Sequence, residues 1–140
     1  MNPEQYLRLV QHDLDTLALL AKAADGRTPP EDVSDWKCTL MFYMACVYVK
    51  ALARSRQKDL QDHYNLRQWL NTTKDLLAIT KPYRRLEERS RDARYEGRRF
   101  SCQELGQARS WFLEVRDHLV QLLESGGVKA APGVDPGPHL

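Results

Sequence analysis

Apolar residues recur every three or four positions along most of this chain, and polar breaks cut the pattern into four or five helices. Leu7, Val10, Leu14, Leu17, Ala21 and Ala24 fall on one face, which predicts a first helix from about Asn2 to Ala24. Asn2, followed by Pro3 and Glu4, suits its cap, while Gly26 and the Thr28-Pro29-Pro30 run end it. Ser34 then suits the cap of a second helix, about Asp35 to Ser55. Trp36, Leu40, Met44 or Tyr43, Val47, Ala51 and Leu52 form a broad apolar face there. The run TLMFYMACVYV is apolar nearly all round. Such a helix lies at the centre of a bundle, or carries a second face for another copy of the chain.

A third helix is predicted over roughly Asp62 to Thr72, burying Leu66, Trp69 and Leu70. Asn71-Thr72-Thr73 reads as a break, and Pro82 suits the first turn of a fourth helix, about Lys81 to Tyr95. Ser101 and Glu104 form the two ends of a capping box for a last helix. Its stripe is Leu105, Ala108, Phe112, Val115, Leu119 and Leu122, broadened by Trp111. No segment alternates as a strand does. The expected fold is therefore all-α, an antiparallel up-and-down bundle of four to five helices over residues 1–124. Residues 125–140, rich in Gly and Pro, are expected to be a disordered tail.

The 140 residues suit one domain with one substantial core. No apolar run approaches the roughly 20 residues that span a bilayer, so no membrane association is expected. The first residues lack a basic flank followed by an apolar segment, so no signal peptide is expected either. Cys38, Cys46 and Cys102 are odd in number and lack C-x-x-C spacing. That predicts buried thiols in a cytoplasmic protein, with no metal site and no cofactor. The net charge is only +2, but half of the arginines lie between 84 and 99. Arg84, Arg85, Arg89, Arg91, Arg94, Arg98 and Arg99 stand among Glu87, Glu88, Asp92 and Glu96. This stretch reads either as a solvated face held by pairs such as Glu87 with Arg91 or as a phosphate-contacting surface. Arg91, Arg94 and Arg98 are its candidate RNA contacts.

The turn after the second helix gathers Arg54, Arg56, Asp59, Asp62, His63, Tyr64 and Arg67. An imidazole there can move a proton near neutral pH, and a guanidinium can hold a phosphate and stabilise charge growing on it. His63 and Arg56 are the candidate catalytic pair, with Tyr64 and Arg67 as phosphate or RNA contacts. The alternative for His63 is ordering the turn through Asp59 or Asp62. A Gly-rich phosphate loop, paired catalytic carboxylates and a Ser/His/Asp order are all missing from the sequence.

In order along the chain stand MFYMACVYVKALARS, HYNLRQWL, LEERSRDARYEG and FSCQELGQARSWFLEVRDHLVQLL. This succession, from about Leu7 to Leu123, resembles the HEPN superfamily of small prokaryotic helical proteins. The resemblance implies a helical bundle that forms a homodimer. It also implies a partnership with a small nucleotidyltransferase in a toxin–antitoxin or defence system, as a non-catalytic or partner component. Many HEPN proteins are metal-independent ribonucleases with an Arg a few residues before a His. Arg56-x6-His63 makes that the alternative, with RNA or a nucleotide as ligand. In such a dimer, the Arg56 and His63 turns of both copies would line one cleft.

Overall fold

The computed structural model describes residues 1–129 and is an all-α, antiparallel up-and-down bundle. Its helices are α1 (Pro3–Asp25), α2 (Ser34–Ser55), α3 (His63–Thr72), α4 (Thr80–Glu96) and α5 (Cys102–Ser125). A 3₁₀ helix, Lys74–Ile79, joins α3 to α4. Most of the expected tail, residues 130–140, lies outside the described residues. Val128, at its start, packs partly against the core.

Local chemistry sets the helix ends. Asn2 and Gln5 form a reciprocal capping box at the start of α1, and Ser101 and Glu104 form another at the start of α5. Asp62 caps α3 by accepting from the Asn65 backbone at 2.8 Å. α4 ends at Gly97, whose φ of 62° is the left-handed conformation that glycine adopts without steric cost.

Ser34 does not act as the expected cap. It is buried in the first turn of α2, and its hydroxyl accepts from the Phe100 backbone at 2.8 Å. Val33 holds the cap position without a side-chain hydrogen bond, and Asp32 accepts from the Ser34 backbone at 2.9 Å. The Ser34 side chain thus ties the start of α2 to the segment that leads into α5.

α2 sits at the centre, packed against α1, α4 and α5. Met41, Phe42, Met44, Ala45, Val49 and Ala53 are each fully buried. The apolar face expected from the sequence is only partly the buried one. Trp36 and Tyr43 are exposed, and Leu40 and Val47 are half-buried. Because neighbours cover three sides of α2, the stripe Trp36, Leu40, Tyr43 and Val47 is the side left outward. In α5 the buried stripe is Ala108, Phe112, Val115, Leu119 and Leu123, with Leu105 and Leu122 at its edges.

The chain leaves α2 through a tight turn in which Gln57 adopts a φ of 61°. A left-handed conformation costs a non-glycine residue ~1–2 kcal/mol, whereas glycine gives back part of that in unfolded-state entropy. Gln57→Gly is therefore expected to stabilise the protein by about 0.5–1 kcal/mol in urea denaturation. A loss of stability would show that the glutamine side chain contributes more than the backbone strain.

Candidate functional site

His63 opens α3, and its ring lies against Phe42 and Cys46 near the middle of α2. It stacks on Phe42 with ring centroids 5.4 Å apart and planes inclined by 30°. Its Nδ1 lies 4.0 Å from the Cys46 sulfur, and Nε2 makes no hydrogen bond among the described residues. Neither Asp59 nor Asp62 holds the ring. Asp59 is bonded by Gln61, and Asp62 by Asn65. The turn-ordering role expected through these acids is thus replaced by stacking on a core aromatic.

Burial against Phe42 lowers the His63 pKa below its ordinary value, opposed by the carboxylate of Glu87 and reinforced by Arg94, Lys50 and Arg67. The imidazole is therefore neutral near pH 7. Behind it, the Cys46 thiol contacts the Tyr83 hydroxyl at 3.3 Å. Burial pushes Cys46 up to about 12 and Tyr83 well above the ordinary phenol value. This thiol stays protonated, so Cys46 is packing behind His63 and not a nucleophile.

Arg67 lies one turn beyond His63 and donates to Glu87 at 2.8 Å. Glu87 is buried, which the expected surface pair with Arg91 does not provide for. Within α4 the buried residues are Pro82, Tyr83, Leu86, Glu87, Ser90 and Ala93. Glu87 stands four residues after Tyr83 and beside Leu86, on the inner stripe, and that spacing is the signal for it in the sequence. The one i,i+4 ion pair of α4 among the described residues is Arg84 with Glu88, at 4.0 Å.

Three of the candidate residues thus come together: His63, Arg67 and Arg94. Arg94 donates to the Tyr43 hydroxyl at 3.4 Å and stands over the rings of Phe42, Tyr43 and Tyr95. Tyr64 is exposed beside His63. Lys50, which the sequence did not single out, adds a third cation to the group acting on the imidazole.

The others point elsewhere. Arg56 grips Asp75 with both terminal nitrogens, at 3.0 and 2.5 Å, and stands over Trp69. That bidentate contact holds Asp75 below the usual carboxylate range. Arg98 is divided between Asp92 at 3.1 Å and Glu104 at 2.5 Å, joining the end of α4 to the start of α5. Arg91 is exposed on the outer side of α4 with Glu88, Asp92 and Tyr95. Arg89 bonds the Glu104 carbonyl and Gln107 and stacks over Trp111 at 4.6 Å. Much of the arginine-rich stretch therefore braces α4 against α5 through contacts between elements.

Among the described residues, no group of three or more His, Cys, Asp or Glu gathers as for a metal ion, and no helix is long and apolar enough to cross a membrane. The chain has no significant match to a family model, a curated protein or a solved structure.

Proposed function

We propose that this chain is a HEPN-like protein acting as the non-catalytic or partner component of a nucleotidyltransferase-associated toxin–antitoxin or defence system. It works in the cytoplasm as a homodimer, and the His63 face meets RNA or a nucleotide. The observation that carries the non-catalytic reading is the commitment of Arg56 to Asp75. Both terminal nitrogens that would hold a scissile phosphate beside His63 are already bonded to a carboxylate. The outward stripe of α2, with Trp36 and Tyr43 exposed between half-buried Leu40 and Val47, supports the dimer.

A ribonuclease reading draws on a different observation. A neutral imidazole with Arg67, Lys50 and Arg94 acting on it has a general base's protonation state and cations for a phosphate. One experiment separates the two. Purified dimer, its state checked by sedimentation, is incubated with RNA in EDTA beside His63→Ala. The non-catalytic reading expects the same background cleavage from both. Cleavage by the wild type that His63→Ala abolishes, with the dimer intact, would replace it with the ribonuclease reading.

A further inference from the structure

A pocket of about 160 Å³ opens between α3 and the first turns of α4. One water needs only ~10–15 Å³ of such space, so the pocket has room for a polyatomic ligand. Its floor is Leu70 and Tyr83, each only 1% exposed and therefore rigid. Its rim is Arg67, Lys81 and Arg84. The lining carries three cations and no carboxylate.

These cations are only partly neutralised. Lys81 has no ion pair or hydrogen bond among the described residues. Arg84 reaches Glu88 only at 4.0 Å, with both side chains about two-thirds exposed. Arg67 uses one terminal nitrogen on Glu87, and the other has no hydrogen bond among the described residues. Lys81 and Arg84 are also three residues apart on one helix, a like-charge spacing that costs stability.

We infer that this pocket binds the terminal phosphate of a small phosphomonoester. Three cations match a dianionic head with three free oxygens. A diester offers one charge and two such oxygens, and a carboxylate offers fewer contacts to the arginine forks. The hydroxyl of Thr80 is spent on the Leu77 carbonyl at 2.9 Å, so recognition falls to the charged rim and the Asn71 amide. The small organic body of the ester rests toward the Leu70 and Tyr83 floor. The inference goes beyond the reading of the His63 face and shares with it Arg67 and the buried Tyr83.

The test titrates the full chain with phenyl phosphate, inorganic phosphate and dimethyl phosphate, followed by amide NMR shifts. The expected result is saturable binding of the two monoester-like probes, with the largest shifts around residues 80–84. Dimethyl phosphate should bind at least about tenfold more weakly, and affinity should rise through about pH 6 as the second phosphate proton leaves. Lys81→Gln/Arg84→Gln alters two exposed side chains, so its thermal unfolding should match the wild type, while phenyl phosphate affinity falls at least about tenfold. Arg27→Gln, which removes an exposed cation outside the pocket, should leave this binding unchanged. No saturable binding by the wild type, equal binding of dimethyl phosphate, or unchanged affinity in the folded double variant would overturn the inference.

Discussion

Phe42→Ala is expected to destabilise the protein by about 3–5 kcal/mol, the cost of removing a fully buried aromatic ring from a close-packed core. Phe42 has no exposed surface. It stacks on His63 and meets Tyr83 edge-on at 5.6 Å with planes 69° apart. The ring is therefore core and site support at once. Urea denaturation measures the first role, and NMR titration of His63 measures the second. With the ring gone, the imidazole loses the burial that lowers its pKa, so its titration should move back up toward the ordinary value. Leu19→Ala is the control, an apolar truncation at a position 71% exposed, and should stay within about 0.5 kcal/mol. Equal effects at the two positions would contradict the placement of α2 at the centre. A destabilised Phe42→Ala protein with unmoved His63 titration would remove the stacked ring from the site.

The sequence carries the amphipathic helices well. In α1 and α5, polar residues occupy the outer side, so the three-and-four spacing names the buried face as well as the element. α2 differs because its residues are apolar on all sides. Periodicity then has no contrast to work with, and the expected face divides: Met44, Ala51 and Leu52 are buried, while Trp36, Leu40, Tyr43 and Val47 lie on the side that neighbours leave outward. Only the packing of α1, α4 and α5 decides which side is covered.

The same distinction runs through the site. Arg67 follows His63 by one helical turn, so their proximity is local and legible. Arg56 is carried off by Asp75, nineteen residues on in the first turn of the 3₁₀ helix, a pairing that spacing does not encode. Phe42 and Cys46 reach His63 from α2 by tertiary packing, and Lys50 of the same helix acts on it through its charge. Within a helix dense in charge, Glu87 reads as one more surface acid until its position beside Tyr83, Leu86 and Ser90 is counted.

Glu87 supports the second large effect, expected for Arg67→Met. Removing one partner of a fully buried ion pair costs ~3–5 kcal/mol, because the remaining charge is left without compensation. Here the carboxylate side chain is 8% exposed but the guanidinium 38%, so water screens the pair and the expected loss is about 2 kcal/mol. Adding Glu87→Gln removes the stranded charge and should restore part of that stability. The double-variant cycle then gives a coupling of the same sign as the contact. His63 reports the same pair independently. The Glu87 carboxylate raises its pKa and the Arg67 cation lowers it, so Glu87→Gln should titrate lower than wild type and Arg67→Met higher.

The pH dependence follows from the sign of the shift. The folded pKa of His63 lies below the unfolded value near 6.5, so the folded state prefers the neutral ring. Its contribution to stability is complete above pH 6.5 and is lost as pH falls through the folded pKa. Arg67→Met narrows that window, and Glu87→Gln widens it toward acid. If both substitutions move the His63 titration in the same direction, its environment is set by a structural rearrangement and not by these two charges. The Arg67–Glu87 pair would then be a brace between α3 and α4 with no electrostatic hold on the imidazole.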